Sequence, residues 1–152
     1  MSDHSAGILL YRYNQQQLEV LLVHPGGPFW INKDKGAWSI PKGLVEANEP
    51  LLNAAKREFQ EETGFALDGD FIELGAIKQP SRKVVHAWAL EQDLDTTQFV
   101  SNTFELEWPR NSGIIRKYPE VDAAAWFPID EARQKILKGQ VNFLDILLEK
   151  LA

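Results

Sequence analysis

The chain has 152 residues, of which 44% are hydrophobic and 25% charged, a balance that predicts a single globular domain over residues 1–152 with a substantial core. The absence of cysteine excludes disulfides, thiol catalysis and cysteine-ligated metal centres, and together with a polar start that lacks a signal peptide it favours a cytoplasmic location. The formal net charge of −6 argues against nucleic-acid binding over the whole surface, and no apolar run is long enough to predict a membrane span.

The chain opens with two apolar runs, residues 6–13 and 18–24, which are separated by a polar turn. Such runs predict two β-strands joined by a short connection. The next segment, residues 25–36 (PGGPFWINKDKG), is predicted to be a loop by its glycine and proline content. An aromatic ring beside cations suits a nucleobase and its phosphate chain, although the same rings can simply pack beneath the loop. The candidates for substrate contact in this loop are Trp30, Lys33 and Lys35.

A helix is predicted over residues 50–62. Proline is favoured in the first turn of a helix, where its missing N–H costs nothing, so Pro50 suits the start. Asn48 or Glu49 can cap that turn, and Gly64 suits a left-handed residue at the C-terminal end. Three apolar residues at helical spacing are expected to face the core: Leu52, Ala55 and Phe59.

Three glutamates on this helix, Glu58, Glu61 and Glu62, share one face because they are three and four residues apart. Like charges on one face repel unless a cation lies among them, and Mg²⁺ is a hard cation that prefers oxygen ligands and keeps several waters. On an anonymous helix this face would simply be solvated. Here, however, residues 43–65 also fit G-x5-E-x7-R-E-U-x-E-E-x-G-U, with phenylalanine at both bulky apolar positions U.

This pattern is the Nudix box, and the chain resembles the Nudix hydrolase family. The resemblance implies an α+β fold, an α/β/α sandwich with a central mixed sheet, the box helix on one face and C-terminal helices packed on the sheet. It also implies a hydrolase that uses Mg²⁺, with Mn²⁺ as the alternative, to cleave the diphosphate linkage of a nucleoside diphosphate joined to another moiety. Glu58, Glu61 and Glu62 are the expected metal ligands, and the family resemblance adds the carbonyl of Gly43. Arg57 lies four residues before Glu61 and is expected to hold the carboxylates in place by pairing with a box glutamate.

The residues before the box indicate which branch of the family the chain resembles. Residues 38–46 (WSIPKGLVE) form a W-x-x-P-K-G-x-x-E run similar to that of Nudix diadenosine polyphosphate and diphosphoinositol polyphosphate hydrolases. Residues 39–40 can form a short strand, which Pro41 would end. Lys42 directly precedes Gly43, so we expect it near the metal face as a substrate-binding cation.

After the box, apolar alternation and, for residues 123–127, the family resemblance predict strands over residues 71–78, 83–90, 104–108 and 123–127 and helices over residues 130–138 and 142–151. A turn is predicted at residues 79–82, and residues 109–119 have the composition of a loop. Lys83, at the start of a strand, can offer its charge to a phosphate. The apolar stripe of the last helix is expected to lie in the core: Phe143, Leu144, Leu147, Leu148 and Leu151.

The family often uses a further acid outside the box, as another metal ligand or as the general base. Glu120 is the candidate, because residues 118–126 (YPEVDAAAW) resemble the glutamate-containing loop before the last sheet strand of diadenosine tetraphosphate hydrolases. Its rivals are Glu105, Glu107 and Asp122. Tyr118 resembles the aromatic residue that stacks on a nucleobase in that loop, with a packing role as the alternative.

These features favour a small-molecule nucleotide as the partner, with diadenosine tetraphosphate cleaved to ATP and AMP. The alternatives in the same class are a nucleoside triphosphate pyrophosphohydrolase, an RNA 5′-pyrophosphohydrolase, for which an RNA 5′ end would be the partner, and a diphosphoinositol polyphosphate hydrolase. The last of these needs a strongly basic pocket, which the net charge of −6 disfavours. A non-catalytic nucleotide-sensing module is a further alternative, but such modules usually lack box glutamates, and all are present here.

Overall fold

The computed structural model describes residues 3–79 and 81–152. Met1 and Ser2 of the polar start, and Pro80 of the turn predicted at residues 79–82, lie outside the described residues. The strands in the described ranges are β1 (His4–Asn14), β2 (Gln17–Pro25), β3 (Lys42–Leu44), β4 (Ile72–Lys78), β5 (Val84–Glu91), β6 (Thr103–Glu107), β7 (Ile115–Pro119) and β8 (Val121–Pro128). The α-helices are α1 (Leu51–Thr63), α2 (Ile129–Lys135) and α3 (Val141–Leu151). No helix in these ranges combines the length and the apolar character needed to cross a membrane.

Most of the strands form one mixed sheet in the order β4-β5-β1-β2-β8, with β3 paired to β1. β1 and β5 run parallel, whereas the other strand pairs of this sheet are antiparallel. The apolar runs predicted as the first two strands are confirmed as β1 and β2, which lie in the interior of the sheet. β6 and β7 pair with each other in a separate two-stranded ribbon.

Helices cover both faces of the sheet, which confirms the predicted α/β/α sandwich. Side chains of β1 alternate between the faces, because successive residues of a strand point in opposite directions. Ile8 and Leu10 belong to the core layer that contains Phe59 of α1. Leu9 belongs to the opposite layer, which contains Phe143 of α3. A central strand that is covered on both faces has a nearly continuous apolar sequence, which explains why β1 and β2 could be predicted.

The box helix α1 agrees with the prediction to within one residue at each end. Gly64 adopts the predicted left-handed conformation, with φ 84°, and its N–H donates to the carbonyl of Gln60. The predicted N-terminal cap is wrong: Pro50 occupies that position without a side-chain cap. Glu49 instead accepts hydrogen bonds from the backbone N–H of Glu46 and from Arg57. Its carboxylate is therefore engaged outside the helix end.

Three further predictions need correction. Residues 115–119 are not loop but strand β7, because their backbone pairs with β6. Helix α2 ends at Lys135 rather than at residue 138, since the backbone on both sides of Ile136 bonds to Trp38. Leu148 is 37% exposed and does not belong to the core, unlike the buried residues of the same stripe, Phe143, Leu144 and Leu147.

Candidate active site

Strand β3 and helix α1 bring the two ends of the box together. β3 pairs with β1 and places Gly43 directly against the carboxylate of Glu58. A Cβ atom at Gly43 would lie 1.9 Å from Oε1 of Glu58. Glycine is therefore favoured here, because any side chain would displace the carboxylate of Glu58 that Arg57 holds by a hydrogen bond.

Arg57 organises the acids around it. Its Nε and Nη2 donate to the two carboxylate oxygens of Glu49, at 2.8 and 3.0 Å. Its Nη1 donates to Glu58 at 2.7 Å and to Glu61 at 3.2 Å. The pKa of Glu49 is lowered by this contact, and that of Arg57 is raised, first by Glu49. The guanidinium thus fixes Glu58 and Glu61, two of the three carboxylates that the sequence singled out as ligands.

The carboxylates of this region raise one another's pKa. Burial, and then the charge of Glu58, raise the pKa of Glu62 to about 8. Burial is also the main cause of the raised pKa of Glu58, to which Glu61 and Glu120 add. The pKa of Glu120 is raised by burial and by Glu61. Four acids, one of them from outside the box, therefore lie within one electrostatic field that favours a cation.

A chain of backbone hydrogen bonds holds Glu120 beside α1. The N–H of Asn102 donates to the carbonyl of Glu61 at 2.9 Å, and the N–H of Glu120 donates to the carbonyl of Asn102 at 2.8 Å. The carbonyl of Glu120 in turn accepts from the N–H of Gly26 at 2.9 Å. A Cβ atom at Gly26 would lie 1.9 Å from the carbonyl oxygen of Pro119. Glycine at this position is what allows the two segments to meet.

A cleft of about 190 Å³ opens beside these acids. Its box wall consists of β3 and α1, and carries Lys42 and Glu62. Its distal wall consists of loop 25–36 and residues 119–122, and carries Trp30 and Glu120. The cleft is lined by Val23, Pro25, Trp30, Ala37, Ser39, Ile40, Lys42, Glu62, Glu120, Val121 and Leu137. Burial lowers the pKa of Lys42, an effect that the charge of Glu62 opposes, so the ammonium group is held close to an acid inside the cleft.

The other candidate residues lie at or beyond the edge of the cleft. Lys83 is exposed, and its charge helps to lower the pKa of Lys42. The Nζ of Lys33 lies 5.3 Å from the ring centroid of Trp30, whereas Lys35 is exposed and is not among the described residues that line the cleft. Tyr118 is also not among those residues, and its ring packs against Phe104 with a centroid separation of 6.0 Å.

The rivals of Glu120 have other surroundings. Glu107 accepts hydrogen bonds from the backbone N–H groups of Asn111 and Gly113, and so closes the β6–β7 ribbon. Asp122 contacts His24 at 2.8 Å. Glu105 is exposed on β6 opposite Lys117. Of the four acids, Glu120 is the one that lines the cleft.

Sequence reasoning missed two residues that shape the distal wall, Gly26 and His24. The Gly26-Gly27 pair signals a turn, but nothing local points to a carbonyl 93 residues away. His24 is buried and contacts Asp122 and the carbonyl of Lys33. A histidine at the end of an apolar strand carries no signal for those partners.

Carboxylate oxygens are the ligands that a hard divalent cation prefers, and Glu58 packs directly against Gly43, whose carbonyl is the further ligand that the family resemblance implies. The acids are turned toward Arg57, however, and within residues 3–79 and 81–152 no three acid or imidazole groups are already arranged to hold an ion. Glu58 and Glu61 would have to exchange part of their contact with Arg57 for the metal.

A sandwich of helices on a mixed sheet, with an acidic helix beside a small cleft, defines the class of this protein. The chain belongs to the NUDIX domain family, whose model matches residues 1–147. It is 28% identical over 130 residues to Nudix hydrolase 7 of Arabidopsis thaliana, a match that covers 86% of this chain and 41% of the relative. The chain thus spans about two fifths of the length of that curated relative.

Two solved structures share the fold. The NUDIX domain of Shewanella oneidensis NrtR complexed with ADP ribose superposes with a TM-score of 0.68 at 18% identity, covering 100% of this chain and 90% of that one. A C. elegans Ap4A hydrolase in a binary complex superposes with a TM-score of 0.67 at 21% identity, covering 97% of both chains. At these identities the likeness concerns the fold.

Proposed function

We propose that the chain is a hydrolase that cleaves a phosphoanhydride bond in a nucleotide-linked substrate. The observation that carries the proposal is the position of Glu120, which meets the box acids at a cleft that also contains Lys42. Hydrolysis of a phosphoanhydride needs neutralised phosphate charge, a positioned water and a stabilised leaving group. The two walls of the cleft offer groups for each of these tasks.

Glu58, Glu61, Glu62 and the carbonyl of Gly43 would hold Mg²⁺ or Mn²⁺. Such an ion, when bound, neutralises phosphate oxygens and lowers the pKa of a water. Arg57 keeps Glu58 and Glu61 oriented through its hydrogen bonds.

Glu120 and Lys42 would act on the reactants themselves. The raised pKa of Glu120 suits a general base, because a more basic carboxylate accepts a proton from the attacking water more readily. Lys42 would bind a phosphate of the substrate at the cleft.

For the substrate we propose diadenosine tetraphosphate, cleaved to ATP and AMP. The run at residues 38–46 supports it, and Trp30 supplies an aromatic surface at the cleft. Lys33 and Lys83, outside the cleft lining, would meet the far phosphates. We also propose that the 152 residues act as one domain in the cytoplasm.

A nucleoside diphosphate joined to a sugar is the second candidate. Trp30 is the aromatic residue among the described residues that line the cleft, so the cleft offers one aromatic surface for a base. The NrtR domain with the same fold binds ADP ribose. This candidate requires stacking for one base, whereas the dinucleotide requires it for two.

A substrate panel separates these functions. Diadenosine tetraphosphate, ADP-ribose, nucleoside triphosphates and a 5′-triphosphorylated RNA are assayed at equal concentration with Mg²⁺, and the products are resolved by chromatography. We expect the highest kcat/KM for the dinucleotide, with ATP and AMP in equal amounts. Faster release of pyrophosphate from nucleoside triphosphates would replace this assignment with a triphosphate pyrophosphohydrolase. If none of these substrates is hydrolysed with Mg²⁺ or with Mn²⁺, the proposal that the chain hydrolyses nucleotide phosphoanhydrides is contradicted.

A further inference from the structure

His24, the last residue before the Pro25-Gly26 turn, is buried between the two segments of the distal wall. Its Nδ1 lies 2.8 Å from Oδ1 of Asp122 on β8. Its Nε2 lies 2.6 Å from the carbonyl oxygen of Lys33 in loop 25–36. The ring therefore joins the start of β8 to the loop that carries Trp30.

Both partners of the ring are acceptors. A backbone carbonyl cannot donate, so Nε2 must carry a hydrogen. The partner of Nδ1 is a carboxylate oxygen of Asp122, and an ionised carboxylate only accepts hydrogen bonds. A neutral imidazole has one N–H and would leave one of these two short contacts without a hydrogen. Both contacts are hydrogen bonds when each ring nitrogen carries a hydrogen and donates it.

Charged groups from three elements lie near the ring. Asp122 faces it from β8, Asp34 lies near it in the loop, and Lys135 of α2 pairs with Asp34. The ring of Trp38 packs against it at a centroid separation of 5.2 Å. Since Asp34 is paired with Lys135, Asp122 is the charged group in direct contact with the ring.

The contact with Lys33 leads directly to the cleft. The N–H of Lys33 donates to the carbonyl of Trp30 at 2.9 Å, and its Nζ lies over the Trp30 ring. We propose that His24 is a positioning residue, whose doubly protonated ring ties loop 25–36 to β8 and so fixes Trp30 at the cleft. The effect on substrate rests on the proposed function, whereas the protonation state of the ring does not.

Nitrogen NMR of the ring tests the inference without any substrate. The chain has three histidines, so signals of His24 are assigned by their loss in His24→Leu. At pH 7 we expect both ring nitrogens of His24 to be protonated. Asp122→Asn should leave the ring neutral with hydrogen on Nε2, because the amide N–H₂ can donate to Nδ1. A nitrogen without hydrogen in the wild-type ring would overturn the proposal.

Kinetics on a substrate found by the panel supply the second readout. We expect His24→Leu to raise KM about tenfold with kcat within about threefold, because the loop loses its hydrogen bond to the ring at a place remote from the reacting phosphorus. Asp122→Asn should keep KM within about twofold, since a neutral ring still bridges the amide and Lys33. Asp145→Asn, which removes an exposed ion pair between Asp145 of α3 and Arg133 of α2, is the matched control.

Unchanged KM in folded His24→Leu, or an equal loss of kcat and kcat/KM, would overturn the positioning role. If His24→Leu fails to fold, His24→Gln supplies the assignment, and the ring nitrogens of the wild type and of Asp122→Asn still decide. If no substrate is hydrolysed, the proposed function fails. The positioning role of His24 is then tested separately: a doubly protonated ring, and a shift of the Trp30 indole signal in His24→Leu, still support the link between loop 25–36 and β8.

Discussion

The two walls of the cleft contain similar numbers of polar groups but are assembled differently. The box wall comes from the consecutive residues 42–63, where Arg57 holds Glu58 and Glu61 and Glu58 packs closely on Gly43. The distal wall joins loop 25–36 to residues 119–122, and it is held by the backbone contact of Gly26 and by His24. A wall built from one segment can carry the chemistry that a family shares, whereas a wall built from two segments can change its shape by small loop shifts. The comparison therefore predicts large losses of turnover from the first wall and changes of binding from the second.

The largest effect is expected from the acids of the box wall. Glu61→Gln or Glu62→Gln keeps the side-chain shape but removes the charge that a metal needs, and we expect kcat to fall more than about 100-fold. Activity is measured at saturating Mg²⁺, and circular dichroism checks the fold. Glu149→Gln, at an exposed glutamate of α3, is the control. Turnover near that of the wild type in either variant would contradict the assignment of these acids.

Metal binding should stabilise the box wall. At a Mg²⁺ concentration of about 100 times Kd, linkage adds about 2.7 kcal/mol, which for a chain of this length raises Tm by about 5–10 °C relative to chelator. Differential scanning fluorimetry measures the shift. Glu62→Gln should lose most of this increase in Tm. A wild-type Tm that does not change with millimolar Mg²⁺ or Mn²⁺ would argue against a specific metal site.

Without metal, the charge of Glu62 should destabilise the fold. Its pKa of about 8 lies above the ordinary value, so the folded state binds the proton more tightly than the unfolded state, and stability falls as the pH rises from about 5 to above 8. In chelator at pH 8.5, Glu62→Gln is expected to unfold at higher urea concentration than the wild type, and the gap should shrink toward pH 5. A gap that is the same at both pH values would show that the charge is not its cause.

The distal wall should respond to Gly26→Ala. The new Cβ would meet the carbonyl of Pro119 at 1.9 Å, so the two segments must separate, at a cost of about 1–3 kcal/mol in unfolding free energy. Urea unfolding measures this cost, and kcat/KM should fall because Glu120 moves with Pro119. In the control Gly139→Ala, the nearest atom is the side-chain amide of Gln79 at 3.2 Å, which can turn aside. Equal stability of the two variants would show that the close approach is not required.

The smallest effect is expected at Tyr118, which packs on Phe104 beside the lined part of the cleft. Tyr118→Ala should raise KM about fivefold with kcat within about twofold, because stacking on a base is similar in the ground and transition states. Steady-state kinetics on the dinucleotide measure it, with Tyr13→Ala, at an exposed ring near the end of β1, as control. A larger change in kcat than in KM would place Tyr118 near the reacting phosphate instead.

Helix α1 of the box wall could be predicted from the sequence because its determinants are local, whereas strand β3 was not predicted. The short strand expected at residues 39–40 is instead an isolated bridge between Ser39 and Val23, and the strand that pairs with β1 follows Pro41. Pro50 and Gly64 bound the helix, and the spacing of Glu58, Glu61 and Glu62 fixes their shared face. Glu120 was proposed from the family resemblance, because it lies far from the box in the chain and no sequence spacing connects it to the box acids. Strand β7 was missed because most of its residues are exposed and its pairing with β6 is the main thing that makes it a strand. The same holds for His24 and Asp122, whose contact spans 98 residues.

The hydrogen bonds that connect Glu61, Asn102, Glu120 and Gly26 involve main-chain atoms alone. Their geometry does not depend on the side chain at position 102, which is exposed. The spacing between the acid of the distal wall and those of α1 is thus a property of the backbone. Side chains on the surrounding loops can be exchanged while that spacing is kept, so the lining of the cleft can be redesigned separately from these acids.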